Sequence, residues 1–360
     1  MKKTPHPRPG ILEVKPYVAG EGRVNDGITP VRLASNENSL GCSEKAKAAY
    51  LAIANDIHRY PDGASADLRA SIAEMYNMSA SRIVCGHGSE ELIALLTRAY
   101  AGPGDEVICS EYGFAMFPIF ATGAGAKLVI AREDNLRTDL EAVLNAVTDK
   151  TKIVYLANPN NPTGSYVTAA EIKNFCERLS PEILLIIDSA YAEFVEEEDY
   201  TDGRDIVDAH PNTVMLRTFS KIHGLAGLRL GWGYFPEEIA GVLNRIRGTF
   251  NISLPAQAAG VAALNDYEFM LRTVTLAREG RAYLGKELEA LGIKVSPSVC
   301  NFLLVEFGPK AEDIRLQLKE QGIFVRQMGS YNLPDHLRVS TGTEAENKRL
   351  IKGLAGILRP

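Results

Sequence analysis

The sequence predicts an α/β protein, with a mainly parallel sheet that carries helices on both faces and a smaller α+β domain behind it. Three observations lead to this prediction. Short apolar segments alternate with amphipathic ones between residues 82 and 217, the order typical of parallel sheets. Several of these segments, such as Ile183–Ile187, are apolar throughout, as expected for strands that are covered on both faces. After Gly233 the pattern becomes helical, and residues 292–360 read as strand, helix, strand and terminal helix.

The elements follow in chain order from these patterns. Residues 1–42, rich in Gly, Pro and polar residues, are predicted to form an extended arm that contributes to the small domain and to dimer contacts. Ser43 is a good N-cap for a first helix that runs to Asn55. Strands are predicted at Arg82–Cys85, Glu106–Cys109, Lys127–Ala131, Lys152–Ala157, Ile183–Ile187 and Val214–Arg217, with helices at Glu90–Tyr100 and Thr168–Leu179. One of the strands could still be antiparallel.

A helical stretch at about Tyr267–Ala290 is long enough to connect two domains. We therefore predict a large domain over residues 43–275 and a small domain over residues 276–360. The boundary between them is defined only to within about ten residues.

Composition narrows the classes of function. The net charge of −6 argues against a non-specific nucleic-acid-binding protein, which usually carries a basic excess. No apolar run approaches the ~20 residues of a membrane span, and the basic N-terminus lacks the apolar stretch of a signal peptide. The five cysteines are odd in number and none forms a C-x-x-C pair, so neither a disulfide framework nor a metal site is expected. We predict a cytoplasmic protein.

The most informative residue is Lys221, in Thr218-Phe219-Ser220-Lys221. This segment follows an apolar strand and precedes a Gly-rich segment that contains Arg229. Most lysines are simply solvated, and a loop lysine is the alternative here. A lysine at a strand end, beside hydroxyl groups, is also well placed to attack a carbonyl and form a Schiff base.

Three other segments lie at strand ends. Asp188 ends an apolar strand, where ligands of open α/β sheets bind; it could hold a proton on a pyridine nitrogen or merely cap a helix. Gly86–Glu90 is a Gly-rich turn that opens a helix and could bind a phosphate, or could be only a tight turn. The third segment, residues 158–164, is a rigid turn whose Asn161 offers an amide to the same crevice.

Together these segments resemble the fold-type-I aminotransferases that depend on pyridoxal 5′-phosphate, and most of all the histidinol-phosphate aminotransferase family. The resemblance runs over nearly the whole chain. It is carried by Gly-His-Gly-Ser, Asn-Pro-Asn-Asn-Pro-Thr-Gly, Asp-Ser-Ala-Tyr, Thr-Phe-Ser-Lys and Gly-Leu-Ala-Gly-Leu-Arg, together with Pro16-Tyr17, Ser35-Asn36-Glu37-Asn38, Arg59-Tyr60-Pro61-Asp62, Asn301-Phe302, Val325-Arg326 and Leu337-Arg338-Val339.

The resemblance implies the roles of the residues around the cofactor. Lys221 would bind pyridoxal phosphate as a Schiff base and would then carry the proton as a free amine. Asp188 would pair with the pyridine nitrogen, Phe114 would stack on the ring, and Asn161 and Tyr191 would hydrogen-bond to its phenolic oxygen. The cofactor phosphate would be bound by Ser89, Glu90, Thr218, Ser220 and Arg229.

The resemblance also implies a homodimer, because Tyr60 would reach the cofactor phosphate from the neighbouring subunit. The expected substrate is L-histidinol phosphate, with 2-oxoglutarate as amino acceptor, in histidine biosynthesis. Arg326 and Arg338, with Tyr17 and Asn36, would contact the substrate, since an arginine fork binds phosphate and carboxylate bidentately.

Several positions depart from the family pattern, and none of them removes a catalytic group. Ser39 stands where the family usually has proline, His87 where it has asparagine, Ser189 where it has glutamate and His223 where it has tyrosine. The Pro-Thr that usually precedes the aromatic residue at Phe114 is missing.

These departures keep alternatives open. An aromatic amino acid aminotransferase, a threonine-phosphate decarboxylase of the same fold and a non-enzymatic cofactor-binding domain all remain possible. A nicotinamide dehydrogenase is disfavoured, because Glu91 stands where the G-x-G-x-x-G fingerprint needs its third glycine.

Overall fold

The computed structural model of the chain describes residues 5–14, 16 and 29–358. Its strands are β1 (Val31–Leu33), β2 (Ile83–Gly86), β3 (Glu106–Ser110), β4 (Lys127–Ala131), β5 (Glu133–Asp134), β6 (Arg137–Thr138), β7 (Thr151–Ala157), β8 (Leu184–Asp188), β9 (Thr213–Thr218), β10 (Gly231–Tyr234), β11 (Lys294–Val295), β12 (Phe302–Glu306), β13 (Ile323–Gln327) and β14 (His336–Ser340). Its α-helices are α1 (Glu44–Ala52), α2 (Ala66–Tyr76), α3 (Ser89–Tyr100), α4 (Met116–Ala124), α5 (Leu140–Asn145), α6 (Ala169–Arg178), α7 (Arg204–Ala209), α8 (Glu237–Ile246), α9 (Leu254–Leu264), α10 (Tyr267–Ala290), α11 (Ala311–Glu320) and α12 (Glu344–Leu358).

The central sheet has seven strands in the order β2-β10-β9-β8-β7-β3-β4. Every pair of neighbours is parallel except the two that involve β10, which runs antiparallel to both β2 and β9. The parallel strands β7, β8 and β9 therefore end at the same edge of the sheet. Helices cover both faces, so the predicted fold class is confirmed.

The helices begin where local chemistry favours it. The Ser43 hydroxyl accepts a hydrogen bond from the Ala46 amide at the start of α1, as its N-cap position predicts. Thr168 and Glu171 form a reciprocal capping box at the start of α6. Most of the apolar face of α3 is buried against the sheet, with Leu92 and Leu96 fully enclosed. Buried leucines of this kind are typically worth about 2–5 kcal/mol when truncated to alanine.

A second sheet of five strands has the order β1-β13-β14-β12-β11. The strand from the N-terminal part of the chain, β1, pairs in parallel with β13, and the other neighbours are antiparallel. Residues of α10, α11 and α12 pack with this sheet around a separate apolar core. The N-terminal segment is thus tied to the C-terminal sheet.

The C-terminal region holds more strands than the sequence indicated. Residues 292–360 were expected to contain two strands, but four lie there in the structure: β11 and β12 before α11, and β13 and β14 after it. The two-residue β11 is too short to show a periodic pattern. The predicted domain boundary at residue 275 falls inside α10, which is continuous across it, and the boundary stays a proposal.

Over the residues that the structure describes, no helix is both long and apolar enough to cross a membrane.

Candidate active site

A cavity of about 260 Å³ lies at the carboxyl ends of β7, β8 and β9. Its floor is formed by Ala157, Asp188 and Thr218, the last residue of each of these strands. The five-stranded sheet also contributes to the cavity wall. Arg338 of β14 and residues 34–36, which follow β1, line the cavity. Crevices at this edge of a parallel sheet are the usual ligand sites of open α/β folds.

Lys221 reaches the cavity from the turn after β9. Its Nζ donates a hydrogen bond to the Ser35 carbonyl at 3.1 Å. Burial and the positive charge of Arg338 lower the pKa of Lys221 to about 8, with Arg229 acting in the same direction and Glu37 against it. The amine is therefore much easier to deprotonate near neutral pH than an ordinary lysine amine.

Asp188 lines the same cavity and is 6% exposed. Burial raises the pKa of its carboxyl to about 7, although the Ala190 amide and Lys221 oppose this. Its Oδ1 has no hydrogen-bond partner among the described residues. A buried carboxylate oxygen without a partner is costly, so this atom fits a ligand that brings a proton donor, such as a protonated ring nitrogen.

The start of α3 forms one wall of the cavity, and Ser89 and Glu90 stand in its first turn. The amide groups of a helix N-terminus favour an anion. Two glycines keep this wall close-packed: a Cβ on Gly88 would lie 2.8 Å from Arg229 Nη2, and one on Gly231 would lie 2.2 Å from the Ser89 nitrogen. Gly88 is the N-cap of α3, and Ser89 is its first helical residue.

Three more of the predicted phosphate residues face this wall. Thr218, Ser220 and Arg229 all line the cavity, and the Thr218 hydroxyl accepts a hydrogen bond from the Ser220 amide at 3.1 Å. Arg229 Nη2 lies 3.3 Å from Glu90 Oε2. The structure thus brings the five predicted phosphate-binding residues together around one corner of the cavity.

Aromatic and amide side chains also line the cavity. Phe114 and Tyr191 line it, and the Tyr191 hydroxyl accepts a hydrogen bond from Asn36 Nδ2 at 2.9 Å. Burial raises the pKa of Tyr191, so the phenol stays protonated at neutral pH. Asn161 accepts a hydrogen bond from Arg338 Nη1.

The two arginines predicted to bind an anion lie side by side on neighbouring strands, where Arg326 of β13 is in register with Arg338 of β14. Both are buried. Arg338 lines the cavity, donates to the Ala34 carbonyl at 3.0 Å and stacks its guanidinium 5.3 Å from the Phe302 ring centre. Its Nε has no partner among the described residues, and Arg326 is not part of the cavity wall.

Two predicted residues lie elsewhere. Tyr60 is 82% exposed on the surface and stacks on Phe250 with ring centres 4.6 Å apart, so the structure does not bring it into the cavity of its own chain. Tyr17 falls outside the described residues.

Tyr331 and Ser35 are among the wall residues that the sequence did not predict. Tyr331 belongs to a short 3-10 turn with no periodic pattern. Ser35 contributes its backbone carbonyl, which no side-chain motif could reveal.

Comparison with known proteins decides the family. Residues 28–354 match the family of class I and II aminotransferases. Histidinol-phosphate aminotransferases of Rhodospirillum centenum and Maricaulis maris are 49% and 46% identical to the chain, over 99% and 98% of its length and 99% of theirs. The chain belongs to the histidinol-phosphate aminotransferase family. It is an aminotransferase, as the sequence predicted.

A solved structure agrees with this assignment. The histidinol-phosphate aminotransferase of Sinorhizobium meliloti, crystallised in complex with pyridoxal 5′-phosphate, superimposes with a TM-score of 0.91 at 30% identity. The match covers 99% of this chain and 98% of that one. The alternatives outside the aminotransferases are therefore not favoured.

Proposed function

We propose that the chain transfers the amino group of L-histidinol phosphate to 2-oxoglutarate with pyridoxal 5′-phosphate as cofactor, giving imidazole acetol phosphate and glutamate in histidine biosynthesis. The observation that carries the proposal is the pairing, in one cavity, of an easily deprotonated lysine with a buried carboxylate oxygen that has no partner. A lysine that attacks a carbonyl must be easily deprotonated. A cationic pyridine ring needs a carboxylate oxygen that is free to accept its proton.

The residues present fit this cofactor. When bound, pyridoxal phosphate supplies an aldehyde that condenses with amines and a pyridine ring that withdraws electrons. Asp188 would hold the proton on the ring nitrogen, Phe114 would cover one face of the ring, and Asn161 and Tyr191 would face its phenolic oxygen. The cofactor phosphate would lie against the first turn of α3, within reach of Arg229.

Lys221 has two tasks in this scheme. It would first hold the cofactor through its Nζ. Once an amino substrate had taken its place, the free amine would accept the α-proton at Nζ and would return it to the cofactor carbon. An amine with a pKa of about 8 is suited to both directions, because a base and its conjugate acid are then both populated near neutral pH. Two half-reactions of this kind imply ping-pong kinetics.

The lowered pKa of Lys221 predicts how the cofactor-free protein captures pyridoxal phosphate. Only the neutral amine attacks an aldehyde, so the capture rate is expected to rise with pH through about 8 and to level off above it. Stopped-flow absorbance between pH 6 and 10 measures this. A rise centred near the ordinary lysine value of about 10.4 would show that the site does not lower the pKa of Lys221.

The substrate proposal depends mainly on Arg338. Arg326, Tyr17 and Asn36 are proposed to contact the substrate as well. Arg338 lines the cavity and its Nε has no partner among the described residues, so its guanidinium can bind an anionic group of the substrate. An arginine that binds an anion bidentately cannot be replaced by lysine without loss.

We therefore expect kcat/KM for histidinol phosphate to exceed that for phenylalanine, and Arg338→Lys to lower it about 100-fold. The control is Arg349→Lys, a half-buried arginine of α12 whose hydrogen bonds in the described structure go to the backbone carbonyls of Thr29 and Gln321. A preference for phenylalanine would favour an aromatic aminotransferase instead. Release of CO₂ without a keto product would indicate a decarboxylase.

We also propose that the protein is a homodimer in which Tyr60 reaches the cofactor phosphate of the neighbouring subunit. The support is that Tyr60 lies exposed on the surface and stacks on Phe250, which is also exposed. Exposed apolar side chains that contact each other are typical of an interface. A cytoplasmic location is proposed as well, since all five cysteines are free thiols, as in a reducing compartment.

A further inference from the structure

A buried ion cluster lies beneath the cavity, on the side of the sheet away from Asp188. Its centre is Arg217 of β9, which is 2% exposed. The guanidinium binds two carboxylates, with Nη2 at 2.7 Å from Glu193 Oε1 and Nη1 at 2.7 Å from Asp202 Oδ2. It also packs 4.9 Å from the ring centre of Tyr76, whose hydroxyl donates to the same Glu193 oxygen at 3.3 Å.

The direction of the Arg217 side chain follows from strand alternation. Its neighbour Leu216 is in register with Asp188 and packs in the core on one face of the sheet. Successive residues of a strand point to opposite faces, so Arg217 points to the other face. In agreement with this, Met215 and Phe219 belong to the core on that side. Arg217 therefore does not line the cavity.

The cluster nevertheless joins the segments that carry the proposed cofactor residues. Arg217 belongs to the strand that leads into Lys221. Glu193 stands two residues after Tyr191, in the 3-10 helix that follows it. Asp202 lies at the far end of the same segment. The backbone carbonyl of Asp202 accepts a hydrogen bond from the Ser189 hydroxyl at 2.8 Å.

A further contact connects this segment to the third strand end. The hydroxyl of Tyr200, two residues before Asp202, donates to the Asn158 carbonyl at 2.9 Å. Asn158 begins the turn that contains Asn161. Arg217 thus connects β9 to the segment of residues 189–202. This segment contains Tyr191, and its Tyr200 is hydrogen-bonded to the start of the turn that contains Asn161.

We propose that Arg217 is a positioning residue for transamination: its two ion pairs hold the segment of residues 189–202 against β9, so that Tyr191 keeps its place, with its ring centre 5.8 Å from Lys221 Nζ. The proposal rests on the proposed function. A displacement of about 1 Å in a reacting geometry can cost on the order of 100-fold in rate, so small changes in these ion pairs are expected to be visible in kcat.

The test is a double-mutant cycle in the holoenzyme. Arg217→Lys is made in the wild type and in Tyr191→Phe, and kcat, KM and the pH midpoint of the bound cofactor's visible absorbance are measured. In the wild type, Arg217→Lys is expected to lower kcat about 10-fold, to leave KM within about 2-fold and to shift the midpoint. In Tyr191→Phe it is expected to change kcat less than about 2-fold, because the two residues act through one another.

Equal fold-losses of kcat in both backgrounds, or an unchanged absorbance midpoint, would overturn the proposal and leave Arg217 a purely structural residue. If Arg217→Lys does not fold, Glu193→Gln, which keeps the side-chain volume, carries the same test. Arg82→Lys is the matched control, because Arg82 also pairs with a carboxylate (Asp208 at 2.6 Å) and packs on an aromatic ring (Tyr234 at 4.2 Å). It should leave kcat and the midpoint unchanged.

The cycle can be run with whichever amino donor the wild type prefers. Failure of the wild type to bind pyridoxal phosphate or to transfer an amino group would count against the proposed function. An additive cycle in an active wild type would count against the role of Arg217 alone.

Discussion

Replacing Lys221 with alanine is expected to remove the visible absorbance of bound pyridoxal phosphate and to lower kcat about 10⁴-fold or more. The single amine both holds the cofactor and moves the α-proton, so its loss affects two steps. Absorbance spectroscopy and steady-state kinetics on the purified variant measure the two effects separately.

The variant should remain folded, because Lys221 makes a single hydrogen bond within the described residues, to the Ser35 carbonyl. Lys150→Ala, at an exposed turn, is the control for loss of a lysine charge. A small primary amine added to Lys221→Ala should restore part of the proton transfer. Retention of more than about one hundredth of the wild-type kcat would show that another group acts as the base.

Asp188→Asn is expected to lower kcat by at least about 100-fold while leaving cofactor absorbance in place. An amide has almost the shape of the carboxylate but carries no charge, so it cannot hold a proton on the ring nitrogen. Lys221 is retained, and the cofactor can still be captured. The measurement is kcat together with the absorbance spectrum; a variant with normal kcat would exclude the proposed role of Asp188.

The same substitution should not weaken the cofactor-free fold. The pKa of Asp188 is about 7 in the folded chain and near 3.9 in an unfolded chain. Because folding raises this pKa, the ionised carboxylate destabilises the folded state increasingly as the pH rises from about 4 to about 7. At pH 8 the cofactor-free Asp188→Asn variant should therefore melt at the same temperature as the wild type or higher. A lower melting temperature would mean that the carboxylate is structural.

Much of this site could be predicted because the parallel strands bring their ends together. Asp188, Asn161 and Lys221 each follow an apolar strand in the sequence, and strand ends in a parallel sheet meet at one edge. Family resemblance then supplied their roles. The anion-binding wall at Ser89 was also predictable, because a Gly-rich turn opens the helix there.

Other features depend on contacts between distant parts of the chain. The antiparallel strand β10, which contains two glycines in four residues, was not among the predicted strands, because glycine weakens a strand pattern. Position 231 must be glycine because a Cβ there would collide with the Ser89 nitrogen, more than 140 residues earlier in the chain. Arg217 looked like the end of an apolar strand, and only the folded chain shows its two carboxylate partners. The register that places Arg326 beside Arg338 likewise depends on sheet pairing.

The most direct test of the proposed function is a single-turnover titration of the purified holoenzyme with L-histidinol phosphate, followed by absorbance in the absence of any keto acid. We predict that the visible band of the bound cofactor disappears in proportion to the substrate added, and that subsequent 2-oxoglutarate restores the band and releases glutamate. A band that does not change with histidinol phosphate, but disappears with phenylalanine at similar concentrations, would contradict the substrate assignment.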